Sequence, residues 1–296
     1  SEGINSPADL LFTVDAGRLT EAKDAGLTQP VALPALVQAV PATARDPDNH
    51  WFGLTMRARV VYASRERVTQ TAISYEELAD PKWKGKICIR SGQHVYNTSL
   101  LATMIAHKGA VAAEAWARGL KANLARKPAG GDREQVRDVK AGLCDIAIGN
   151  TYYMAAMLKN PEQKAWADAV RILFPNAGDR GSHVNISGMA LTKTAPNKAN
   201  ALKLMTFLAS EEGQRLYAEG NNEYPVNPKV AASAVVIDGV VDTPAQDHFY
   251  LETHCALAVV DEHTVAVWSS TQHPTEMQHL VAHALNLHAH DVQLEC

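Results

Sequence analysis

The sequence predicts an α/β fold with largely parallel sheets, and three observations carry that expectation. Up to about residue 230, short apolar runs of strand character alternate with Ala-rich stretches of helical period. Capping residues and glycines mark the ends of several of these stretches. The chain has 296 residues, enough for one large domain or two ordinary ones. In order, Leu10-Leu-Phe-Thr-Val14 reads as a buried strand, and Leu19 to Gly26 as a short helix ended by glycine. Arg59-Val-Val-Tyr-Ala63 is a strand, and Ser74-Tyr-Glu-Glu77 carries a capping-box signature that opens a helix. Lys86-Ile-Cys-Ile-Arg90 is a strand, followed by a polar turn and helices over Thr98 to Lys108 and Val111 to Leu124. Asp132 caps a helix running to about Ala141, Asp145-Ile-Ala-Ile148 is the next strand, and Met154 to Lys159 is helical. Met189-Ala-Leu-Thr192 is a strand, and Lys198 to Leu208 and Glu211 to Tyr217 are helices.

Hydrophobic residues make up 46% of the chain and charged residues 20%, the balance of a folded globular protein. A net charge of −4 gives no case for nucleic acid or an anionic membrane as the main partner. No apolar run is long enough to span a bilayer, so no direct membrane insertion is expected. The opening Ser1-Glu-Gly-Ile-Asn-Ser-Pro7 lacks a charged segment followed by an apolar stretch, so no signal peptide is expected within it. The cysteines, Cys88, Cys144, Cys255 and Cys296, form no C-x-x-C pair. Cys88 and Cys144 lie in apolar runs and read as buried small hydrophobes. After about Ala232 the texture changes: His248, His254, His263, His273, His279, His283, His288 and His290 crowd the last stretch. A shift this sharp marks a boundary.

The most informative local feature is Gly149-Asn-Thr-Tyr-Tyr-Met154, between a strand and a helix. Adjacent side chains on a strand point to opposite faces, so neighbouring tyrosines converge only where the chain turns out of the strand. That turn is also a helix N-terminus, where free N–H groups and the helix dipole favour anions. A phenolate needs such help, because free tyrosine titrates near pH 10. A trivalent hard cation completes the stabilisation, since hard ions prefer oxygen ligands. Tyr96, in Ser91-Gly-Gln-His-Val-Tyr-Asn-Thr-Ser99, occupies the same kind of strand-to-helix junction. In open α/β sheets ligands bind at the carboxyl ends of strands. Taken alone, a Tyr-Tyr pair after a strand is more often packing.

Several motifs carry a resemblance to a known family. They are Thr13-Val-Asp-Ala-Gly-Arg-Leu19, Arg57-Ala-Arg59, Tyr96-Asn-Thr-Ser99, Gly149-Asn-Thr-Tyr-Tyr153, His183-Val-Asn-Ile-Ser-Gly188 and Asn222-Glu-Tyr-Pro-Val-Asn-Pro228. In order across about residues 1–230, they resemble the periplasmic ferric-iron-binding proteins of ABC importers, in the branch that uses several tyrosines. The resemblance implies a two-lobed, type II periplasmic-binding-protein fold with iron in an interlobe cleft. It implies lobe one at 1–57 plus 182–230 and lobe two at 58–181. It implies Fe(III) held by Tyr96, Tyr152 and Tyr153, a monomer, a periplasmic location and delivery to an ABC permease. It also implies that the first βα unit of lobe one, about 45 residues, is missing, along with a ligand from it. Three phenolates balance Fe(III) and leave coordination positions open. A synergistic anion such as carbonate suits a guanidinium fork, for which Arg57 is the first candidate. Arg59 serves equally as a structural ion pair. Asp15 is the candidate to hold a tyrosine or arginine in place. His94 reads as a satisfied loop histidine pointing away from Tyr96.

Residues 242–296, from Gln246-Asp-His-Phe-Tyr-Leu-Glu-Thr-His254 onward, resemble the molybdenum-binding subunit of xanthine dehydrogenase. That implies a composite chain with a junction at 231–241 and a short foreign α+β segment. A segment so short cannot bury its own core, so molybdenum chemistry is not expected. His279 and His283 stand one helical turn apart but lack the glutamate of a zinc-protease motif. No nucleophile–base set stands out, and no enzyme activity is expected. The competing readings are a polyamine, thiamine or sugar-phosphate binder on the same fold, and a composite without function.

Overall fold

A computed structural model describes residues 5–233, 256–260, 265–269 and 292–295. The strands are β1 (Leu10–Val14), β2 (Trp51–Ser64), β3 (Ile87–Cys88), β4 (Ile146–Asn150), β5 (Val170–Leu173), β6 (Val184–Leu191), β7 (Tyr224–Pro225), β8 (Ala256–Val260), β9 (Val265–Ser269) and β10 (Val292–Glu295). The helices are α1 (Ala16–Asp24), α2 (Pro34–Ala39), α3 (Val95–Lys108), α4 (Ala110–Ala122), α5 (Asp132–Lys140), α6 (Tyr152–Lys159), α7 (Lys164–Asp168), α8 (Lys198–Ala209), α9 (Glu211–Asn221) and α10 (Pro228–Ser233). The described chain divides into two compact units. Residues 5–56 and 186–233 with β8–β10 form one, and residues 57–185 form the other.

In the first unit β1 pairs antiparallel with β6 from Leu10↔Leu191 to Val14↔Ser187. β8 meets β1 at Phe12↔Ala256, and β9 and β10 follow it. Leu10, Phe52, Leu54, Met189 and Leu191 pack with Leu36 of α2 and Met205 of α8. Each such side chain, fully buried, contributes about 1.5–3 kcal/mol. Helix α9 starts where the Ser210 hydroxyl accepts from the Gly213 amide, and ends at Asn222 in the left-handed region. Asp15 caps α1, accepting from the Gly17 amide at 2.9 Å, with a φ of 83° that favours glycine.

The sheet of the second unit shows why its strands read as near-continuous apolar runs. Val61 and Ala63 of β2, Ile87 beside Ile89, and Ile146 and Ile148 of β4 face one core. Val60 and Tyr62, Cys88 and Ala147 face the other. Alternate residues thus enter alternate cores, and helices cover both faces. Leu100 and Met104 of α3 with Trp116 and Leu120 of α4 close the first core. Val136 and Val139 of α5 with Met157 of α6 close the second.

The structure corrects several expectations. The sheets are mixed rather than largely parallel. Antiparallel pairs join β2 to β4 and β5, β1 to β6 and β8, and β8 to β9, while β3–β4 and β9–β10 are parallel. Sequence alternation alone does not distinguish the two, and β2, at 14 residues, is long enough to serve both units. The capping box at Ser74 forms, with its hydroxyl accepting from Glu77 N–H at 3.1 Å, yet it opens only a 3-10 turn over Glu76–Ala79. Pro81 follows at once and blocks an α-helix. Gly131, not Asp132, is the N-cap of α5, and the Asp132 carboxylate is used elsewhere. Cys88 and Cys144 are buried, as expected of small hydrophobes, but they are joined as a disulfide. The sequence reading missed β5, α2 and α7, all short. The histidine-rich readings and Gln246 lie outside the described residues.

One acidic group sets an expected pH response. Burial opposes ionisation of Glu76, but hydrogen bonds from Asn176, Arg180 and Lys108 hold its carboxyl down to about 2, against an ordinary 4.5. A depressed folded value stabilises the fold above the unfolded value and is lost as pH falls toward the folded one. Melting temperature should therefore fall between pH 4.5 and 2, and less steeply in Glu76→Gln, which does not titrate. Parallel melting curves of the two proteins across that window check this.

Candidate metal centre

The second unit brings its tyrosines together through the pairing of two strands. β3 and β4 run side by side in the same direction, Ile87 against Ile146 and Cys88 against Ala147. Their carboxyl ends are therefore adjacent, and each leads to a helix: β3 to α3 and β4 to α6. Tyr96 lies in the first turn of α3, and Tyr152 and Tyr153 in the first turn of α6. The Tyr96 and Tyr152 hydroxyls stand 3.1 Å apart, and the Tyr152 and Tyr153 rings 4.3 Å centroid to centroid. All three side chains are half-buried.

The approach of β4 to β2 needs Gly149, because a Cβ there would meet the Tyr62 ring at 2.5 Å. Tyr62 in turn donates its hydroxyl to the Asn150 carbonyl. The junction that launches Tyr152 and Tyr153 is thus held from below by a buried phenol. The His94 side chain does not point away from Tyr96. Its Nδ1 accepts from the Tyr96 amide at 3.3 Å as the cap of α3, and its ring meets the Tyr96 ring edge-on at 4.5 Å. A residue just before a helix turns its side chain back onto the first turn, which the reading of His94 as a loop histidine did not anticipate.

Guanidinium groups surround the phenols. Arg57, Arg59 and Arg90 stand 5.7, 5.7 and 5.2 Å from the Tyr96 ring centroid. Arg133, in the first turn of α5, stands 5.6 Å from that of Tyr153. Arg57 is buried beside Tyr96, where an oxyanion contact was expected of it. The Arg59 guanidinium is committed instead to Asp132, Asn150 and Asn97. Asp15 stands in the first unit, at its helix cap. Arg90 and Arg133 were not among the residues the sequence singled out, and Asp132 was expected only as a helix cap. The signal for Arg90 was present, since it ends the same strand-like run that leads to Tyr96.

The electrostatics explain what such a site can take. Burial, with the other phenols and Asp132 nearby, pushes the Tyr152 hydroxyl well above its ordinary 10. Burial likewise raises Tyr153, with Tyr96 and Asp132 adding to the effect. Burial opposes the charge of Arg90, yet Asp132 and the neighbouring phenols hold its pKa above the ordinary value. Burial lowers that of Arg133. Tyr152 and Tyr153 therefore keep their protons until a strongly polarising cation displaces them. Four arginines, Arg57, Arg59, Arg90 and Arg133, stand against the carboxylates of Asp132 and Glu134, so an anion is favoured beside such a cation.

Residues 5–249 match the bacterial extracellular solute-binding protein family. Residues 210–296 match a molybdopterin cofactor-binding domain. Iron uptake protein A2 of Synechocystis is 48% identical over 241 residues, covering 80% of this chain and 70% of its own length. The ferric iron-binding protein A of Mannheimia haemolytica, solved in an open conformation, is 51% identical with a TM-score of 0.75, covering 79% of this chain and 75% of its own. A Trichodesmium protein solved in complex with iron and citrate ligands is 47% identical with a TM-score of 0.75, covering 77% and 73%. At the other end, 58 residues are 50% identical to xanthine dehydrogenase of Calliphora vicina, 19% of this chain and 4% of that protein.

Proposed function

The chain belongs to the bacterial extracellular solute-binding proteins, and from that premise we propose that it binds Fe(III) and delivers it to the permease of an ABC importer. Tyr96, Tyr152 and Tyr153 are the ligands and bind as phenolates. The observation that carries this reading is the 3.1 Å approach of the Tyr96 and Tyr152 hydroxyls, in first helical turns that converge from parallel strands. Three phenolates neutralise Fe(III), and the surrounding arginines then favour an oxyanion in the remaining coordination positions. Arg57 is the residue to hold it, with carbonate as one candidate. The iron is cargo, and the chain performs no bond chemistry on it.

The fold suits an oxidising compartment. The Cys88–Cys144 disulfide persists outside the cytoplasm and is rare within it. Among the described residues no helix is long and apolar enough to cross a membrane. We place the protein in the periplasm. The segment like xanthine dehydrogenase is a second origin within one chain. After residue 242 its described parts are the strands β8–β10.

Loading must displace phenol protons whose release burial opposes, so iron affinity falls as pH falls. A titration with Fe(III)-citrate at several pH values checks this, read as the visible phenolate-to-iron band. Saturation near one iron per chain is expected, with about three protons released per iron after correction for citrate. Binding that is independent of pH, or without a visible band, contradicts phenolate ligation.

A further inference from the structure

A buried ion pair lies beneath the tyrosines. The Arg59 and Asp132 side chains are 1% and 0% exposed, with Arg59 Nη1 2.5 Å from Asp132 Oδ2. An isolated pair of this kind contributes little net stability and is easily replaced by apolar groups. This one is not isolated. Arg59 Nη2 donates to Asn97 Oδ1 at 2.8 Å, and Asn97 directly follows Tyr96. Arg59 Nη1 donates to Asn150 Oδ1 at 3.1 Å, and Asp132 Oδ2 accepts from the Asn150 amide at 2.9 Å. Asn150 closes β4, two residues before Tyr152, and its side-chain nitrogen lies 3.5 Å from the Tyr152 hydroxyl. Asp132 Oδ1 also meets Arg90 at 3.4 Å, beside Tyr96. Asn97 completes the lattice by donating to the Arg90 and Ser91 carbonyls at 3.1 and 3.0 Å, which ties the end of the β3 run to α3.

We propose that Asp132, acting through Arg59, is a positioning residue that sets the spacing of Tyr96 and Tyr152 for the metal. The pair reaches a neighbour of each tyrosine across four chain segments: β2, the start of α5, and the two strand-to-helix junctions, with Arg59 already opposite Asn150 in the β2–β4 ladder. Metal sites depend on such outer partners, and losing one typically lowers affinity about 10–100-fold. The proposal rests on the reading of these tyrosines as iron ligands.

The test uses the full chain, with Fe(III)-citrate as the probe. Asp132→Asn alone leaves a buried guanidinium uncompensated and is prone to unfold. The paired change Arg59→Gln with Asp132→Asn removes both charges and keeps polar groups for Asn150. Asn97→Ala keeps both charges and removes one arm of the lattice. Melting temperature and circular dichroism report folding. The expected result is a folded variant with affinity lower by about 10–100-fold and a displaced or broadened visible band. A folded variant with wild-type affinity and an unchanged band overturns the proposal and leaves the pair a structural one. Should the paired variant not fold, Asn97→Ala decides on the same readouts. Should the wild type itself show no iron band, the iron reading fails by itself. The positioning claim is then read from tyrosine-ring NMR signals of the metal-free protein. Tyr96 and Tyr152 signals that move in the variants support it, and unchanged signals overturn it.

Discussion

Replacing Tyr152 and Tyr153 together by phenylalanine should abolish tight iron binding while leaving the fold intact. The change removes two hydroxyls and no ring. The Tyr153 ring packs against the second core of its unit, and phenylalanine fills the same space. Burial already disfavours charge on both phenols, so the metal-free fold does not depend on their ionisation. What disappears is ligation. One phenolate, from Tyr96, cannot balance a trivalent ion amid several arginines. A loss of at least about a thousandfold in affinity, roughly 4 kcal/mol, is expected, with loss of the visible band. Equilibrium titration against citrate measures it, beside a melting curve. A double variant that keeps wild-type affinity would place the iron elsewhere.

The second large effect is on stability. The disulfide closes a loop of 56 residues between Cys88 and Cys144. Loop-closure entropy in the unfolded chain makes such a cross-link worth about 4 kcal/mol. The link also acts locally. β3 has two residues at one edge of the sheet, and it leads to Arg90 and Tyr96. Cys144 precedes β4, which leads to Tyr152. Both sulfurs sit in the core that Val136, Val139 and Met157 close, so the unit gains a covalent tie between the two segments that carry its tyrosines. Cys88→Ala with Cys144→Ala should lower unfolding free energy by about 4 kcal/mol in denaturant melts. A loss under about 1 kcal/mol would mean that sheet pairing alone holds the edge.

The tyrosine junctions were legible because the signal is local. A strand, a short polar turn and a helix leave a boundary in the sequence, and Tyr96, Tyr152 and Tyr153 stand at such boundaries. Arg57 was legible only through family resemblance. Arg59 was legible as a structural ion pair, but its partner beneath the tyrosines was not legible by either route. Arg59 and Asp132 are 73 residues apart, and nothing local announces that one will neutralise the other. Asp132 looked like a helix cap because it opens α5, and Gly131 took that place while the carboxylate turned to Arg59 and Asn150. The cysteines, 56 residues apart in apolar runs, looked like ordinary core residues for the same reason. Strand existence was read well where apolar runs are long, as in β1 and β4. Strand direction was not, because the antiparallel pairing of β2 with β4 and β5 is decided by the path of the whole chain.

The most direct test of the central claim is a crystal structure of the iron-loaded chain with an anomalous difference map recorded at the iron edge. A single strong peak is expected, bonded to the hydroxyl oxygens of Tyr96, Tyr152 and Tyr153, with an oxyanion between it and Arg57. A peak on the histidine-rich stretch after residue 242, or on carboxylates away from the three phenols, would contradict it.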